Sequence, residues 1–227
     1  MILPCLSRTK SNLVGISSSA GLTGSHLAKK YNIGFSTTEN ENIFKNNEID
    51  LVVITTRHNT HKELVIKSLI NNKHVFVEKP LALNQNELNE IIQAYNNTNQ
   101  TLTVGFNRRF ATLTEKAKDL LNTNSPMNIV INVNAGFIPK ESWVQNMDIG
   151  GGRIIGEACH FIDLITYLTG SKVKVVCMNA MNINPEENTD NGTILLKYEN
   201  GSTGVINYFS NGSKAYSKER VEVFHQE

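Results

Sequence analysis

The sequence predicts an α/β protein in which a doubly wound parallel sheet is followed by an α+β domain with a mostly antiparallel sheet. In the first half, short apolar strands alternate with amphipathic helices, which is the pattern of βαβ units. In the second half, several strands are joined by turn residues, and one helix that follows three glycines interrupts them. The pattern changes after Arg109, and we expect two domains, 1–106 and 107–227.

The parallel sheet is predicted from runs of β-branched and aromatic residues that end at charged or turn residues. These strands cover 13–17, 51–56, 74–78 and 102–106. Amphipathic helices are predicted between them, over 23–31, 61–71 and 86–96, and Asn84 is the expected N-cap of the last. The carboxyl ends of parallel strands share one sheet edge, and open α/β sheets bind their ligands at that edge.

The second half is predicted to form one antiparallel sheet with helices on one of its faces. The predicted helices are 111–121 and 156–168, and the predicted strands are 127–137, 173–181, 192–198 and 202–208. Glu199, Asn200 and Gly201 are turn-forming residues between the last two strands, so these strands are expected to form a hairpin.

Composition excludes several classes of protein. Hydrophobic residues make up 40% of the 227 residues and the formal net charge is +1, with charges of both signs interspersed, so neither disorder nor a nucleic-acid-binding stripe is indicated. The longest apolar runs, such as 51–54, are far shorter than the roughly 18 residues that read as a membrane span. The N-terminus has Pro4 and early charge where a secretory signal needs an apolar stretch. We therefore expect a cytoplasmic protein without membrane or nucleic-acid partners.

The three cysteines, Cys5, Cys159 and Cys177, are an odd number and show no CxxC spacing. This pattern indicates neither a disulfide framework nor a zinc cluster. We expect reduced, buried thiols and no metal site.

Two residues have the chemistry of an active site. Lys79 follows the strand in HVFVEKPLAL, and an ammonium group at a strand end is suited to stabilising a negatively charged oxygen. His160 follows the three glycines and has Asp163 three positions later, on the same helix face; histidine exchanges protons near neutral pH. The structural alternatives are an exposed turn lysine and a histidine of the core or the surface.

Four segments in this order resemble the Gfo/Idh/MocA oxidoreductases, which bind NAD(H) or NADP(H) and mostly act on sugars, inositols and nucleotide sugars. The segments are VVITTRHNTH from Val52, HVFVEKPLAL from His74, VGFNRRF from Val104 and GGGRIIGEACHFID from Gly150. The resemblance implies a Rossmann-type dinucleotide-binding domain over 1–106 and a catalytic, substrate-binding domain over 107–227. It also implies an NAD(P)-dependent dehydrogenase that acts on the CH–OH group of a sugar, cyclitol or nucleotide sugar.

The resemblance implies a role for each catalytic candidate. Lys79 lies near the nicotinamide and donates a hydrogen bond to the substrate oxygen, and the family often has a cis peptide between this lysine and Pro80. His160 takes the proton of the hydroxyl group. Asp163 either orients His160 or is a structural hydrogen-bonding residue. Many members have an aspartate where this chain has Gly156, and we expect the neighbouring Glu157 to reach the site only from an irregular helix.

Residues that contact the cofactor are also implied by the resemblance. They are Ser18, Thr55, Thr56, His61, Glu78, Lys79 and Asn107. Arg57 and His58 replace the usual proline and asparagine. No acidic residue follows the strand at Ser17 and Ser18, where an aspartate usually binds the 2'-hydroxyl of NAD. The cofactor is therefore expected to be NAD or NADP, with a weak preference for NADP.

Substrate contacts are expected from Arg108, Arg109 and Trp143. Either arginine can hold a carboxylate, a phosphate or a sugar hydroxyl, and the alternative is an interdomain salt bridge. Trp143 is the only tryptophan, and it is either a platform for stacking a sugar or an anchor of the core.

The chain departs from the family pattern at its N-terminus. Neither the first strand nor the GxGxxG loop of the family is found, and Gly21 to Gly24 follow the wrong strand to replace that loop. We expect a fragment of a longer enzyme or a genuinely shortened protein, and a homo-oligomer that forms through the second-domain sheet. The alternative function is a non-catalytic cofactor-binding or regulatory module, or a fragment of a larger bidomain oxidoreductase.

Overall fold

The computed structural model describes residues 2–121 and 125–226. The chain divides into two compact units. The first consists of Met1–Thr55, His61–Val77 and Asn86–Thr103, and the second of Thr56–Thr60, Glu78–Gln85 and Val104–Glu227. The second unit therefore includes the two loops that follow the strands at 51–54 and 74–77.

The first unit contains short parallel strands and helices in alternation. The strands are β1 Gly15–Ser17, β2 Phe35–Thr37, β3 Leu51–Ile54, β4 His74–Val77 and β5 Leu102–Val104, of which the last residue belongs to the second unit. The helices are α1 Ile2–Leu6, α2 Leu22–Tyr31, α3 Glu41–Phe44, α4 His61–Ile70 and α5 Gln85–Asn96. β1 pairs in parallel with β2, β3 pairs in parallel with β4, and β3, β4 and β5 form a sheet in that order. All four predicted strands are present.

The strands of the first unit form because their apolar side chains are buried by helices. In β3 and β4, Val52, Ile54, Val75 and Val77 are buried, and from α4 Val65 and Leu69 are buried as well. Burying each such side chain stabilises the fold by about 1.5–3 kcal/mol. β2 and α3 were not predicted. α3 has four residues, too few for a helical period, and β2 contains one apolar residue, Phe35, whereas β1 follows the apolar residues Leu13 and Val14.

The second unit is a five-stranded sheet with one long helix against it. Its helices are α6 Thr112–Leu120 and α7 Cys159–Thr169, and its strands are β6 Asn128–Asn134, β7 Val173–Ala180, β8 Gly192–Tyr198, β9 Thr203–Phe209 and β10 Glu219–Phe224. The strand order is β10-β6-β9-β8-β7. Only β6 and β9 are parallel, so the sheet is mixed and mostly antiparallel, in agreement with the prediction.

The core of the second unit lies between α7 and one face of this sheet. Alternate residues of the central strands, such as Ile131, Ile194 and Ile206, are buried there, and from α7 Phe161 and Ile165 fill the same space. This packing fixes the position of α7, and with it the position of His160 in the first turn of the helix.

Two predictions require correction. The helix predicted over 156–168 begins as a π-helical turn, Ile154–Ala158, before the regular α7. The thiols are free, but Cys5 and Cys177 are exposed and Cys159 is only half-buried. The reason is their position: no residue of the short α1 is buried, and Cys177 lies on the edge strand β7, all of whose residues except the last are exposed. Within the described residues no helix is long and apolar enough to cross a membrane.

Candidate active site

Lys79 lies immediately after β4, in the loop that belongs to the second unit. Its Nζ donates a hydrogen bond to the carbonyl oxygen of Gly156, 2.6 Å away, in the π-helical turn before α7. The peptide bond between Lys79 and Pro80 is cis, as the resemblance implies. The lysine therefore meets the helix that carries His160.

His160 lies in the first turn of α7 and only 8% of its surface is exposed. Its ring meets Phe106 edge-on, with the ring centres 6.1 Å apart. Its Nδ1 is buried and has no hydrogen-bond partner among the residues that the structure describes. Burial, and then the positive charges of Lys79 and Arg108, lower the pKa of His160 to about 4. The ring is therefore neutral at pH 7 and can accept a proton.

Cys159 precedes His160, but its thiol is not suited to nucleophilic chemistry. Burial raises the pKa of the Cys159 thiol to about 11, although the charge of Lys79 acts in the opposite direction. The reactive species of cysteine is the thiolate. This thiol is therefore protonated at neutral pH.

The three glycines before the π-helical turn are required by a tight change of chain direction. A side chain on Gly150 would place its Cβ 2.5 Å from the carbonyl oxygen of Trp143. Gly151 and Gly152 have φ angles of 72° and 70°, which other residues rarely adopt. The amides of Gly150 and Gly151 both donate to the carbonyl oxygen of Asn146. The turn brings the chain to the start of the helix without a bulky side chain near Lys79.

The loop from Thr56 to Thr60 packs against this glycine turn within the second unit. The Nδ1 of His58 lies 2.8 Å from the carbonyl oxygen of Gly150, and the amide of Asn59 donates to Ile149. The hydroxyl of Thr60 donates to the carbonyl oxygen of Arg57, so the 2.6 Å contact between the Thr56 and Thr60 hydroxyls is donated by Thr56. The loop is thereby held in one conformation.

Glu157 is part of the irregular helix that its predicted role required. Its carboxylate accepts hydrogen bonds from the Tyr208 hydroxyl at 2.5 Å and from Arg153 at 2.9 Å. Burial alone would raise the pKa of Glu157, but the hydrogen bonds from Tyr208 and Arg153 outweigh it and the pKa is lowered. Glu157 is therefore ionised and already engaged, and its catalytic role stays a prediction.

Arg108 and Arg109 both form ion pairs with carboxylates of the second unit. Arg109 donates to both oxygens of Asp163, with an Nε to Oδ2 distance of 2.7 Å, and Arg108 donates to both oxygens of Glu219. Arg108 also lies over the ring of Phe161, 4.5 Å from its centre. Asp163 is thus held by Arg109. The substrate-binding role of the two arginines stays a prediction.

Trp143 is half-buried between two residues of the loop 56–60. His58 meets the indole edge-on at 4.9 Å, and the guanidinium of Arg57 lies 5.7 Å from the ring centre. Both of the functions considered for Trp143, stacking a sugar and anchoring the structure, remain predictions.

Two family models match the chain. The first, described as "Oxidoreductase family, NAD-binding Rossmann fold", matches residues 3–106, and the second, described as "GFO/IDH/MocA C-terminal domain", matches residues 126–227. The chain belongs to the Gfo/Idh/MocA family.

Curated relatives of this Gfo/Idh/MocA protein include dehydrogenases. Myo-inositol 2-dehydrogenase of Thermotoga maritima is 29% identical over 184 residues, which are 78% of this chain and 54% of that protein. An uncharacterized oxidoreductase of Bacillus subtilis, YrbE, is 28% identical over 205 residues, which are 87% of this chain and 59% of that protein. The chain thus spans a little over half the length of these two relatives.

Solved structures share the fold of this family member. A probable dehydrogenase from Thermotoga maritima superposes with a TM-score of 0.82 at 24% identity, over 99% of this chain and 69% of that chain. Levoglucosan dehydrogenase in complex with NADH and levoglucosan superposes with a TM-score of 0.80 at 21% identity, over 94% of this chain and 62% of that chain. At this level of identity the likeness establishes the shared fold.

The predicted site residues of this Gfo/Idh/MocA chain are divided between the two units. Thr56, Glu78, Lys79, Asn107, Arg108, Arg109, Trp143, Glu157, His160 and Asp163 belong to the second unit, and Ser18, Thr55 and His61 belong to the first. Ser18 donates its amide to Thr37 beside the end of β1, and His61 is fully buried at the start of α4. Their predicted cofactor contacts stay predictions.

Sequence reasoning missed three residues that organise the site. Arg153 is 2% exposed and donates to Glu157 and to two backbone carbonyls, and Tyr208 approaches the same carboxylate from β9. The spacing of Arg153 and Glu157, four positions apart in a helix, was an available signal. His58 had none, because its partner Gly150 is 92 positions away.

Proposed function

We propose that this chain functions in an NAD(P)-dependent oxidoreductase that transfers a hydride between a nicotinamide cofactor and the hydroxyl or carbonyl carbon of a sugar, cyclitol or nucleotide sugar. The observation that carries the proposal is the buried Nδ1 of His160, which has no partner among the described residues, on the helix that follows the turn containing the Lys79 acceptor, Gly156. A proton acceptor and a cation beside one another are what the oxidation of an alcohol needs. The family match and the names of the relatives support the same reaction class.

The described side chains near Lys79 and His160 fit the nicotinamide end of a dinucleotide. They offer the ammonium group of Lys79, the buried Nδ1 of His160, which has no partner among the described residues, the hydroxyl of Thr56 and the exposed amide of Asn107 at the start of a 3₁₀ turn. A bound nicotinamide supplies the acceptor or donor of hydride at this site. The sequence has no GxGxxG loop, and we assign the pyrophosphate to no residue.

The reaction that these side chains support begins with the substrate hydroxyl. The ring of His160 accepts its proton, and burial and the charge of Lys79, which lower the pKa of the ring to about 4, keep the ring unprotonated at neutral pH before the reaction. The ammonium of Lys79 stabilises the negative charge that develops on the oxygen. The ion pair of Arg109 with Asp163 holds one turn of α7 and thereby fixes the direction of the histidine.

The choice of cofactor also belongs to the proposal. The family description and the NADH bound to levoglucosan dehydrogenase support NAD(H). The absence of an acidic residue at Ser17 and Ser18 in this sequence favours NADP(H) only weakly. Titration with NADH and NADPH, followed by nicotinamide fluorescence, decides between them, and tighter binding of NADH would refute the preference for NADP.

The proposed reaction is tested by replacing Lys79. In Lys79→Met the stabilising charge is lost, so we expect turnover of the best substrate from a panel of inositols, hexoses and nucleotide sugars to fall by about 10²–10⁴-fold. The affinity for the cofactor should change less than about threefold, because the lysine contacts only its nicotinamide end. Lys140→Met is the matched control, since its side chain is 74% exposed and pairs with Glu186.

The outcome separates catalysis from binding. Equal turnover of Lys79→Met and the unchanged protein would remove Lys79 from the mechanism. A chain that binds the cofactor but turns over no member of the panel would instead favour the non-catalytic binding module, a function that Gly156 supports because many family members have an aspartate at that position.

A further inference from the structure

We infer that His58 is a positioning residue: its ring occupies the space beside Gly156 and holds in place the peptide to which the amine of Lys79 is bonded. The inference depends on the proposed function only for what Lys79 does in the reaction. The contact between residues 58 and 156 is a property of the fold and is tested separately.

The ring of His58 and Gly156 are in close steric contact. A Cβ added to Gly156 would lie 3.0 Å from Cε1 and 3.4 Å from Nδ1 of His58. A separation of 3.0 Å is tighter than nine in ten real Cβ contacts, so the ring or the peptide would have to move by a few tenths of an ångström. Both residues are buried, and His58 is only 9% exposed. A side chain at position 156 therefore displaces either this peptide or the ring of His58.

The orientation of the His58 ring is fixed by its contacts with Gly150 and Trp143. A carbonyl oxygen only accepts hydrogen bonds, so the 2.8 Å contact with Gly150 requires a proton on Nδ1 of His58. The edge of the ring also packs against Trp143 at 4.9 Å. The next residue, Asn59, donates its amide to Ile149. The ring is thus fixed from two sides and cannot turn away from Gly156 without losing these contacts.

Gly156 links His58 to Lys79. The ring lies beside the place that a Cβ of Gly156 would occupy, and the carbonyl oxygen of the same residue accepts the hydrogen bond from Lys79 at 2.6 Å. Gly156 lies in the π-helical turn, whose backbone departs from the regular helix. Displacement of this peptide would move the acceptor of the lysine. His58 acts on the reaction through Lys79 and not by contact with substrate.

The steric contact is tested by a double-mutant cycle of Gly156→Ala and His58→Ala, read by thermal unfolding. With His58 present, Gly156→Ala is expected to lower Tm by about 4 °C or more, because the ring collides with the methyl group. In the His58→Ala background the same change is expected to leave Tm unchanged or raise it, since alanine favours the helix. The change of sign is the result that supports the inference.

A second histidine provides the control. His26 is exposed on α2, in the first unit, and His26→Ala should combine additively with Gly156→Ala. If Gly156→Ala alone yields no folded protein, folding of the double variant His58→Ala/Gly156→Ala supports the inference and its failure to fold overturns it. Additive effects of His58→Ala and Gly156→Ala on Tm also overturn it.

The link to Lys79 is tested by chemical reactivity. We expect acetic anhydride to acetylate Lys79 at least threefold faster in Gly156→Ala than in the unchanged protein, as measured by mass spectrometry, because the amine is released from its acceptor. The rate should rise in His58→Ala as well, because the peptide then loses the ring that holds it. Lys140 serves as the internal reference, since it lies 74% exposed on a separate loop. An unchanged rate at Lys79 in Gly156→Ala would overturn the positioning role.

Kinetics distinguish positioning from a purely structural effect. In the active enzyme, Gly156→Ala and His58→Ala should each lower kcat while KM for the cofactor stays within about twofold. A loss confined to KM would contradict a role through Lys79. If no substrate is turned over at all, the proposed function fails, but the unfolding cycle and the acetylation rates still decide the inference about His58.

Discussion

The environment of His160 changes the ionisation of its ring. Burial lowers the pKa of its ring first, and the positive charges of Lys79 and Arg108 lower it further, to about 4. In the unfolded chain the ordinary value of about 6.5 applies. Between these two pH values the unfolded chain binds a proton that the folded protein does not bind. The free energy of unfolding therefore decreases as the pH is lowered through that range.

This difference predicts a pH dependence of stability. The free energy of unfolding should be fully retained above pH 6.5 and should decrease by on the order of 3 kcal/mol as the pH falls to 4, through this group alone. In His160→Gln this contribution is removed. Denaturant unfolding at several pH values should therefore give a shallower decline for the variant, and parallel declines would contradict the burial of a neutral ring.

The π-helical turn is the element that joins the site to the sheet. Arg153 is 2% exposed, and its guanidinium donates to Glu157 and to the carbonyl oxygens of Ala135 and Gly136, while Tyr208 donates to Glu157 from β9. A buried carboxylate is tolerable only with such partners. This network anchors the turn whose carbonyl oxygen, on Gly156, holds Lys79.

Removal of the arginine should therefore be costly. We expect Arg153→Met to lower the free energy of unfolding by about 3–5 kcal/mol, because Glu157 loses the cation that pairs with it and two carbonyl oxygens lose their donor. Arg220→Met, at a side chain that is 58% exposed, should change it by no more than about 0.5 kcal/mol. Urea unfolding of both variants provides the comparison, and equal effects would refute the anchoring role of Arg153.

At the scale of the whole molecule, the outer face of the five-stranded sheet has the pattern of a surface that meets another protein. The paired residues Leu195, Val205 and Val130 form an apolar row across β8, β9 and β6. Beside it, Thr193 donates to Asn207 and Asn207 donates to Asn132, so the neighbouring polar row satisfies itself. We propose that this face forms a homo-oligomer.

The proposed oligomer is tested by introducing a charged side chain into the apolar row. Leu195 is 44% exposed in the single chain, and Leu195→Lys should convert the assembly to monomers, because it places an unpaired charge in the apolar row. Leu113→Lys, at an 80% exposed position of α6, should leave the assembly unchanged. Light scattering after size exclusion measures both masses, and a monomeric unchanged protein would refute the proposal.

Some elements of the fold could be predicted from the sequence and others could not. β4 and the helix α4 were predictable because their apolar residues repeat with the period of the element, and local periodicity does not depend on the rest of the fold. β2 was not predicted because Phe35 is its one apolar residue, so the sequence shows no apolar run there. The π-helical turn was not predicted because its irregularity comes from groups outside it, among them Arg153 and the glycine turn.

The sequence by itself determined the two kinds of sheet, the family, and the places of Lys79 after a strand and of His160 in a helix, since each follows from local patterns or from short segments in order. Only the tertiary structure decided the partners. It paired Asp163 with Arg109, Glu157 with Arg153 and Tyr208, and Gly156 with His58. Most of these partners are distant in the chain, and which groups meet depends on how the whole unit packs.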